Sequence, residues 1–350
     1  MKISRMPSAA LLTAVLAGFS LSACGTTGVP LGEVTSAPLA LVYWDGPAAR
    51  ARVEVLEGMT GQGADQKRRG VAKLEEVARL VGSSAELGPS HKLEAFPGRI
   101  VLLNVQTLEK RPFPFAPPNA RPLAWSADHK KLLFSSDHLD EGRSQLFEYD
   151  SGTGEVRKLT RGPILHPEAD YGPDGEMVFS WISLAADDRR AGMTVRAVGG
   201  GESTVLEEGV YPVGPRWSAE GDLILYVEAD DRGGSRDASA VVVREPLPGG
   251  KFSRLARGRD AIFSLDGSWI IFSSQGSRGW RLQRMRPDGS GRKALGTSVL
   301  SARWPAVSPD GKHVAYVSNQ DGIDRLYLRR VDGSGDRILL EDGAVAFPVW

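Results

Sequence analysis

The chain is 350 residues long, enough for one large domain with a sizeable core. Lys plus Arg and Asp plus Glu both number 43, so there is no basic excess, and an electrostatic nucleic-acid binder is excluded. The 41 glycines and 22 prolines point to many turns between short strands.

Residues 1–23 read as an export signal and are set aside from the fold. Lys2 and Arg5 form a positive n-region. Residues 9–21 are an apolar stretch, too short to span a bilayer as a helix of about 20 residues. The stretch ends in Leu21-Ser22-Ala23-Cys24-Gly25. This run resembles the lipobox of bacterial lipoproteins. The resemblance implies cleavage before Cys24, a diacylglyceryl thioether on its sulfur and a second acylation of the new N-terminus. Several acyl chains anchor stably where one holds only marginally. The membrane is therefore an expected partner, through Cys24. Gly25 implies, by the same resemblance, sorting to the outer membrane, on its periplasmic face or at the surface. Cys24 is the sole cysteine, so an exported chain has no internal disulfide and depends on packing.

Residues 24–38, rich in Gly, Thr, Pro and Ser, read as a flexible tether. Residues 39–115 form an N-terminal segment expected to lend strands to the main domain. LALVYW at 39–44 and ARVEVLE at 51–57 read as strands, followed by a glycine-rich loop at 58–63. Within 65–81, Val71, Leu74, Ala78 and Val81 share one face at helical spacing. The spacing predicts an amphipathic helix, capped by Asp65 and stopped by Gly82. Gly61-Gln62-Gly63 has Gln66 where a dinucleotide fingerprint needs its third glycine, so it reads as a turn. RIVLLNV at 99–105 is a strand, with 109–115 beside it as an edge.

From 116 to 350 the chain repeats. The last full unit, 302–340, contains the turn Ser308-Pro309-Asp310-Gly311. Asp128-His129, Asp174-Gly175, Glu220-Gly221 and Asp266-Gly267 align with Asp310-Gly311 at intervals of 46, 46, 46 and 44. A period of roughly 40–50 residues with four strands per unit predicts a β-propeller. Five full units run 121–160, 166–206, 211–256, 260–295 and 302–340. Three residues before each aligned acid stand Trp125, Tyr171, Trp217, Phe263 and Val307, expected to pack blade against blade. Pro348-Val349-Trp350 repeats the spacing of Pro305-Ala306-Val307, so the last residues read as the first strand of a further unit. Its other strands are expected from 39–57 and 92–115, which closes the ring and removes open sheet edges. The expected fold is all-β, a six-bladed β-propeller of four-stranded blades. It becomes seven-bladed if 39–57 form a blade of their own. The N-terminal segment adds one amphipathic helix.

Pro305-x-x-Ser308-Pro309-Asp310-Gly311-Lys312, then Ala315-Tyr316-x-Ser318, resembles the WD40-like (PD40) repeat of TolB-like propellers. So do Asp321-Gly322-x-Asp324-x-Leu326-Tyr327 and Asp332-Gly333-Ser334-Gly335. The resemblance spans about residues 121–350 and implies the propeller fold. TolB-type proteins carry a larger α/β domain ahead of the propeller. Only 39–115 precede the repeats here, so the TolB role in the Tol–Pal system is not carried over. Related propellers precede the hydrolase domain of prolyl oligopeptidase-like peptidases, and no such domain is expected here.

Motifs for chemistry are sparse. Ser290 and Ser334 sit in Asp-Gly-Ser-Gly turns and not on a nucleophile elbow. The five histidines, His91, His129, His138, His166 and His313, lack metal-ligand spacing, though His138 and His166 are expected on one face. No cofactor is expected. Alternating strands place the loops between second and third strands on one face, with the connections between blades. The Asp-Gly turns fall on the other face. The former loops vary in length and carry Asp137, His138, Asp140, Arg143, Asp187, Asp188, Arg189, Arg190, Asp230, Asp231, Arg232, Asp321 and Asp324. Varied loops on a rigid scaffold are where binding resides, so these form the candidate binding face. The expected function is a non-catalytic, lipid-anchored cell-envelope scaffold for a protein or glycan. The alternative is a propeller lyase or hydrolase with a polar or metal-assisted site in the central channel.

Overall fold

The structure, a computed structural model, describes residues 28–45, 98–114, 120–139, 143–183, 190–229, 239–277, 279–296 and 301–350. β1 (Leu39–Trp44), β2 (Arg99–Leu103) and β3 (Lys110–Pro112) open the chain. Blade 1 is β4 (Arg121–Trp125), β5 (Lys131–Ser136), β6 (Gln145–Asp150) and β7 (Val156–Lys158). Blade 2 is β8 (Ala169–Tyr171), β9 (Glu176–Ile182), β10 (Ala191–Ala197) and β11 (Ser203–Glu208). Blade 3 is β12 (Tyr211–Trp217), β13 (Ile224–Ala229), β14 (Ala240–Arg244) and β15 (Phe252–Arg257). Blade 4 is β16 (Arg259–Phe263), β17 (Ile270–Gly276), β18 (Gly279–Met285) and β19 (Lys293–Ala294). Blade 5 is β20 (Ala302–Val307), β21 (His313–Ser318), β22 (Arg325–Arg330) and β23 (Arg337–Leu340). β24 (Ala344–Val349) pairs with β1, and the order β24-β1-β2-β3 makes blade 6.

The composite blade is thus the one expected, and the described strands form six blades. β1 belongs to the closing blade, which removes the basis of the seven-bladed alternative. The expected helix at 65–81 and strand at 51–57 lie outside the described residues.

The first strands contact one another in succession, and β24 contacts β4, so they line the axis of a closed ring. The second strands are buried along nearly their whole length, as in LLFSS of β5 and HVAYVS of β21, because a blade is covered on both faces. The fourth strands are largely exposed, as in β15. Each of the six blade interfaces has its own apolar cluster. Leu133, Met177 and Phe179 join blades 1 and 2, Met193 and Tyr226 blades 2 and 3, and Leu225 and Phe272 blades 3 and 4. Ile271 and Tyr316 join blades 4 and 5, Val317 and Leu41 blades 5 and 6, and Ile100 and Phe134 blades 6 and 1. Burying one such side chain contributes about 1.5–3 kcal/mol. Trp125, Tyr171, Trp217, Phe263 and Val307 all pack at these interfaces, as expected.

The repeated Ser-x-Asp-Gly turn has a physical basis. Ser126, Ser218, Ser264 and Ser308 each accept, at 2.9 Å, the N–H of the residue five places on, where the second strand begins. The hydroxyls donate to Asp128, Asp222, Asp266 and Asp310. The turn residue has positive φ, which glycine adopts at least cost, at Gly175, Gly221, Gly267 and Gly311. In blade 2 the serine is replaced by Gly172, because a Cβ there would meet Trp217 Nε1 at 2.9 Å.

A second recurring feature lies at the axis. Gly214, Asp260, Trp304 and Phe347 stand three residues before Trp217, Phe263, Val307 and Trp350 and have φ of 59°, 54°, 50° and 51°. The ladder slips register at each, forming a bulge. Three of the four are not glycine, so the axis wall carries backbone strain that the closed ring sustains. Blade-to-blade hydrogen bonds reinforce it. At the axis Asp170 accepts the Trp217 N–H at 3.0 Å; farther out, between third strands, Arg284 donates to the Val331 carbonyl at 3.1 Å.

Residues 28–38 correct an expectation. Instead of a tether, they form a strap docked on the Asp-Gly turn face. Val29 and Val34 are buried in the cluster between blades 5 and 6. Arg337 donates to the Val29 carbonyl at 3.1 Å, Arg330 pairs with Glu33 at 3.2 Å, and Trp350 Nε1 donates to the Ala37 carbonyl at 3.1 Å. Two valines among small polar residues supply enough apolar surface to hold the segment down.

Two outcomes test this construction. Removal of residues 344–350 takes the first strand from blade 6 and opens the ring. The truncated chain is expected to lose its cooperative thermal transition by circular dichroism; an unchanged midpoint contradicts closure as the source of cooperativity. Asp170 tests the axis staples. Burial, only partly opposed by Arg216, raises its pKa from 3.8 to about 6. Its contribution is therefore full below its unfolded value and is lost as pH rises through about 6. Asp170→Asn is expected to be more stable than wild type near pH 7.5 by about 1–3 kcal/mol, and not near pH 3.5, in urea unfolding.

Candidate functional site

The axis mouth on the variable-loop face carries a continuous belt of charged and aromatic side chains. Arg121, Arg259 and Arg303 stand four residues before Trp125, Phe263 and Val307, near the start of their first strands. That end of each strand adjoins the connections between blades and the loops between second and third strands.

Starting at blade 2, Glu168 pairs with Arg121 of blade 1 at 2.6 Å. The Arg121 guanidinium lies 4.0 Å over the Phe347 ring of blade 6, and Phe347 contacts Trp304 of blade 5 at 4.4 Å. Arg303 lies 4.0 Å over the Trp304 ring and pairs with Asp324 at 2.6 Å. The Trp304 N–H reaches the Asp260 carboxylate of blade 4 at 3.4 Å. Asp260 is 3.6 Å from Arg259, which covers Trp280 at 3.7 Å. The belt thus runs through five blades.

Its gap is at blade 3, where Val213 fills the arginine slot and is exposed, and Gly214 fills the next. The three arginine side chains remain 20–25% exposed, so each is held by its partners yet reachable from solvent. Glu168 Oε2 is buried without a hydrogen bond, leaving an acceptor in the wall. Guanidinium groups over aromatic faces, with carboxylates alongside, suit recognition of a polypeptide segment bearing both charges.

Of the residues expected on the binding face, Asp324 joins the belt. The others described have local partners or positions. Asp321 pairs with Arg325 at 2.5 Å and Arg190 with Glu208 at 2.5 Å. Asp137 and His138 follow β5; His138 Nδ1 is 2.7 Å from Ser136 Oγ, and its ring is 5.0 Å from Phe147. Arg143 is exposed ahead of β6. Cys24, Asp140, Asp187, Asp188, Arg189, Asp230, Asp231 and Arg232 lie outside the described residues. The sequence reading missed Arg121, Arg259, Arg303, Trp304 and Phe347. The signal was present, since the arginines recur at one offset from the aromatic anchors.

His166 lies at the connection into blade 2, buried with its ring 5.5 Å from Phe179. Burial, then the nearby Arg196 charge, pushes its pKa down from 6.5 to about 4. Among the described residues no group of three or more His, Cys, Asp or Glu could hold a metal ion. Because His166 is neutral when folded, its contribution is full above its unfolded value and is lost as pH falls through about 4. Asp170 acts in the opposite sense over much of that range, so variants are compared with wild type at each pH. His166→Gln is expected to lose about 2–3 kcal/mol less than wild type between pH 6.5 and 4 in urea unfolding. Equal losses would contradict a buried neutral imidazole.

No protein-family model matches the chain. An uncharacterised protein of Agrobacterium fabrum is 26% identical over 275 residues, 72% of this chain and 87% of that one. The uncharacterised peptidase YuxL of Bacillus subtilis is 30% identical over 158 residues, 43% of this chain and 21% of the peptidase. Among solved structures, TolB from Acinetobacter baumannii superposes with a TM-score of 0.62 at 16% identity, covering 90% of this chain and 66% of TolB. A structure assigned as TolB from Agrobacterium tumefaciens gives 0.58 at 21% identity, covering 71% of this chain and 89% of that one. The chain thus spans a little under two thirds of the Acinetobacter protein and about a fifth of the peptidase. In fold, this chain is a six-bladed, TolB-like β-propeller.

Proposed function

We propose that the protein is a lipid-anchored scaffold of the cell envelope, held at the outer membrane through Cys24, that binds a protein partner without catalysis. The partner docks on the variable-loop face, with a segment entering the axis mouth. The belt from Glu168 to Trp280 is the observation that carries this reading. It joins five blades in one network of paired charges and aromatic faces, larger and more varied than a single small ligand needs. The likeness in fold to TolB supports an envelope setting. Of protein and glycan, the belt favours protein, because its charges of both signs are already interleaved.

Two measurements test the proposal. Photo-cross-linking from position 213, in the gap of the belt, is expected to trap a discrete partner in native envelopes. Arg121→Ala with Arg303→Ala, or shortened 184–192 and 229–239 loops, should reduce that adduct about ten-fold or more, as for loss of central anchor residues. If every partner stays bound in all these variants, the binding face is elsewhere. Cys24→Ser is expected to abolish incorporation of labelled palmitate into the protein; labelling that persists in the variant contradicts lipid anchoring at Cys24.

A further inference from the structure

Between blades 1 and 2 the apolar cluster ends at Phe179, and above it the sheets splay into a cavity of about 340 Å³. Its walls are the connection from Thr160 to His166, residues 179–183 and 190–196 along the second and third strands, and the start of β11. A volume in this range suits a small organic ligand. Its electrostatics differ from those of the mouth. No carboxylate is among the described residues that line it, whereas Arg161, Arg190, Arg196 and His166 all do.

Arg190 is matched by Glu208 at the rim. Arg196 is not matched by any carboxylate among the described residues. One Nη donates to the Leu159 carbonyl at 2.8 Å, and the guanidinium lies 5.5 Å over Phe179. Its Nε is buried and makes no hydrogen bond. Arg161 is exposed at the opening and makes no ion pair among the described residues. His166 is 9% exposed, and its Nδ1 is buried without a hydrogen bond. A half-buried guanidinium with a spare donor and no counter-charge is costly unless an anion joins it.

The rest of the wall is built and rigid. Thr160 donates to Gln145 at 2.8 Å, and Gln145 donates to the Ile164 carbonyl at 2.9 Å, which fixes the connection. Trp181 is pinned over Gly192, where a Cβ would approach its ring to 2.6 Å. Trp181 supplies a flat apolar surface, and Ser183, Thr194 and Ser203 bring hydroxyls to the same cavity. An aromatic plate suits the C–H face of a sugar ring, hydroxyls suit its hydroxyls, and guanidinium groups suit an oxyanion.

We propose that this inter-blade cleft binds an anionic sugar, with its carboxylate or phosphate on Arg196 and Arg161 and its ring against Trp181. The site is separate from the axis mouth and does not rest on the function proposed for it. Calorimetric titration of the full mature chain near pH 7.5 tests the idea with glucuronic acid, glucose 6-phosphate, glucose and inorganic phosphate. One or both anionic sugars are expected to saturate, and the stronger identifies the oxyanion. Glucose and phosphate alone should each bind about ten-fold or more weaker, since each supplies half of the contacts. Arg161→Gln and Arg196→Gln should each weaken the anionic sugar by a similar factor, as for loss of a charged hydrogen-bond partner. Arg254→Gln, distant on blade 3, should leave binding unchanged. Arg161 is exposed, so its variant reads the site even if Arg196→Gln fails to fold. The proposal is overturned if no probe saturates, if glucose or phosphate alone matches the anionic sugars, or if Arg161→Gln binds as wild type.

Discussion

A blade cannot bury both of its faces alone. Each sheet is covered by the sheet before it and the sheet after it, so a stable arrangement has no first or last blade. The pairing of β24 with β1 meets that requirement. It sets the C-terminal strand at the axis and the N-terminal strand one place outward. The interface between blades 6 and 1, formed by Ile100, Ala120, Phe134 and Phe147, is completed by Ala40 of β1 and Val349 of β24, so both ends of the chain contribute to it. The strained φ values at Asp260, Trp304 and Phe347 belong to the same constraint. A closed wall of short strands holds conformations that an open sheet would relax.

The axis mouth and the inter-blade cleft follow different electrostatic logics. At the mouth nearly every guanidinium has a carboxylate or an aromatic ring, and the network is stable without a ligand. A partner there exchanges one set of charged contacts for another, which favours selectivity over raw affinity. In the cleft the positive charge of Arg196 is matched by no carboxylate among the described residues, and His166 has given up its own. The charged side chains described there are of one sign and partly screened from water, the condition under which a single small anion gains most. The ring thus offers a broad, balanced surface and a narrow, unbalanced one.

The repeat was legible because its turn chemistry is local. Ser308, Asp310 and Gly311 complete their hydrogen bonds within one hairpin, so their spacing survives in the linear order. The aromatic anchors and the composite blade were legible for the same reason, as offsets from that turn. The belt was half legible. Its arginines share an offset, but their ring partners belong to other blades, and a left-handed Trp304 or Phe347 has no sequence signature of its own. The cleft was hidden, since Thr160, Phe179, Arg196 and Ser203 meet only through blade packing. The strap was misread because Gly, Thr and Pro dominate the composition of residues 24–38, whereas Val29 and Val34 decide its position.

The strap also fixes an orientation. Gly28 and Val29 lie against Asp336 and Arg337, beside the third-to-fourth-strand turn of blade 5. Between Cys24 and Gly28 the chain spans at most about 14 Å when fully extended. A lipid at Cys24 would therefore lie close beneath the Asp-Gly turns, which become the floor of the molecule. The ring would stand on the bilayer like a table, its axis mouth opening away from the lipid and toward whatever fills the compartment above.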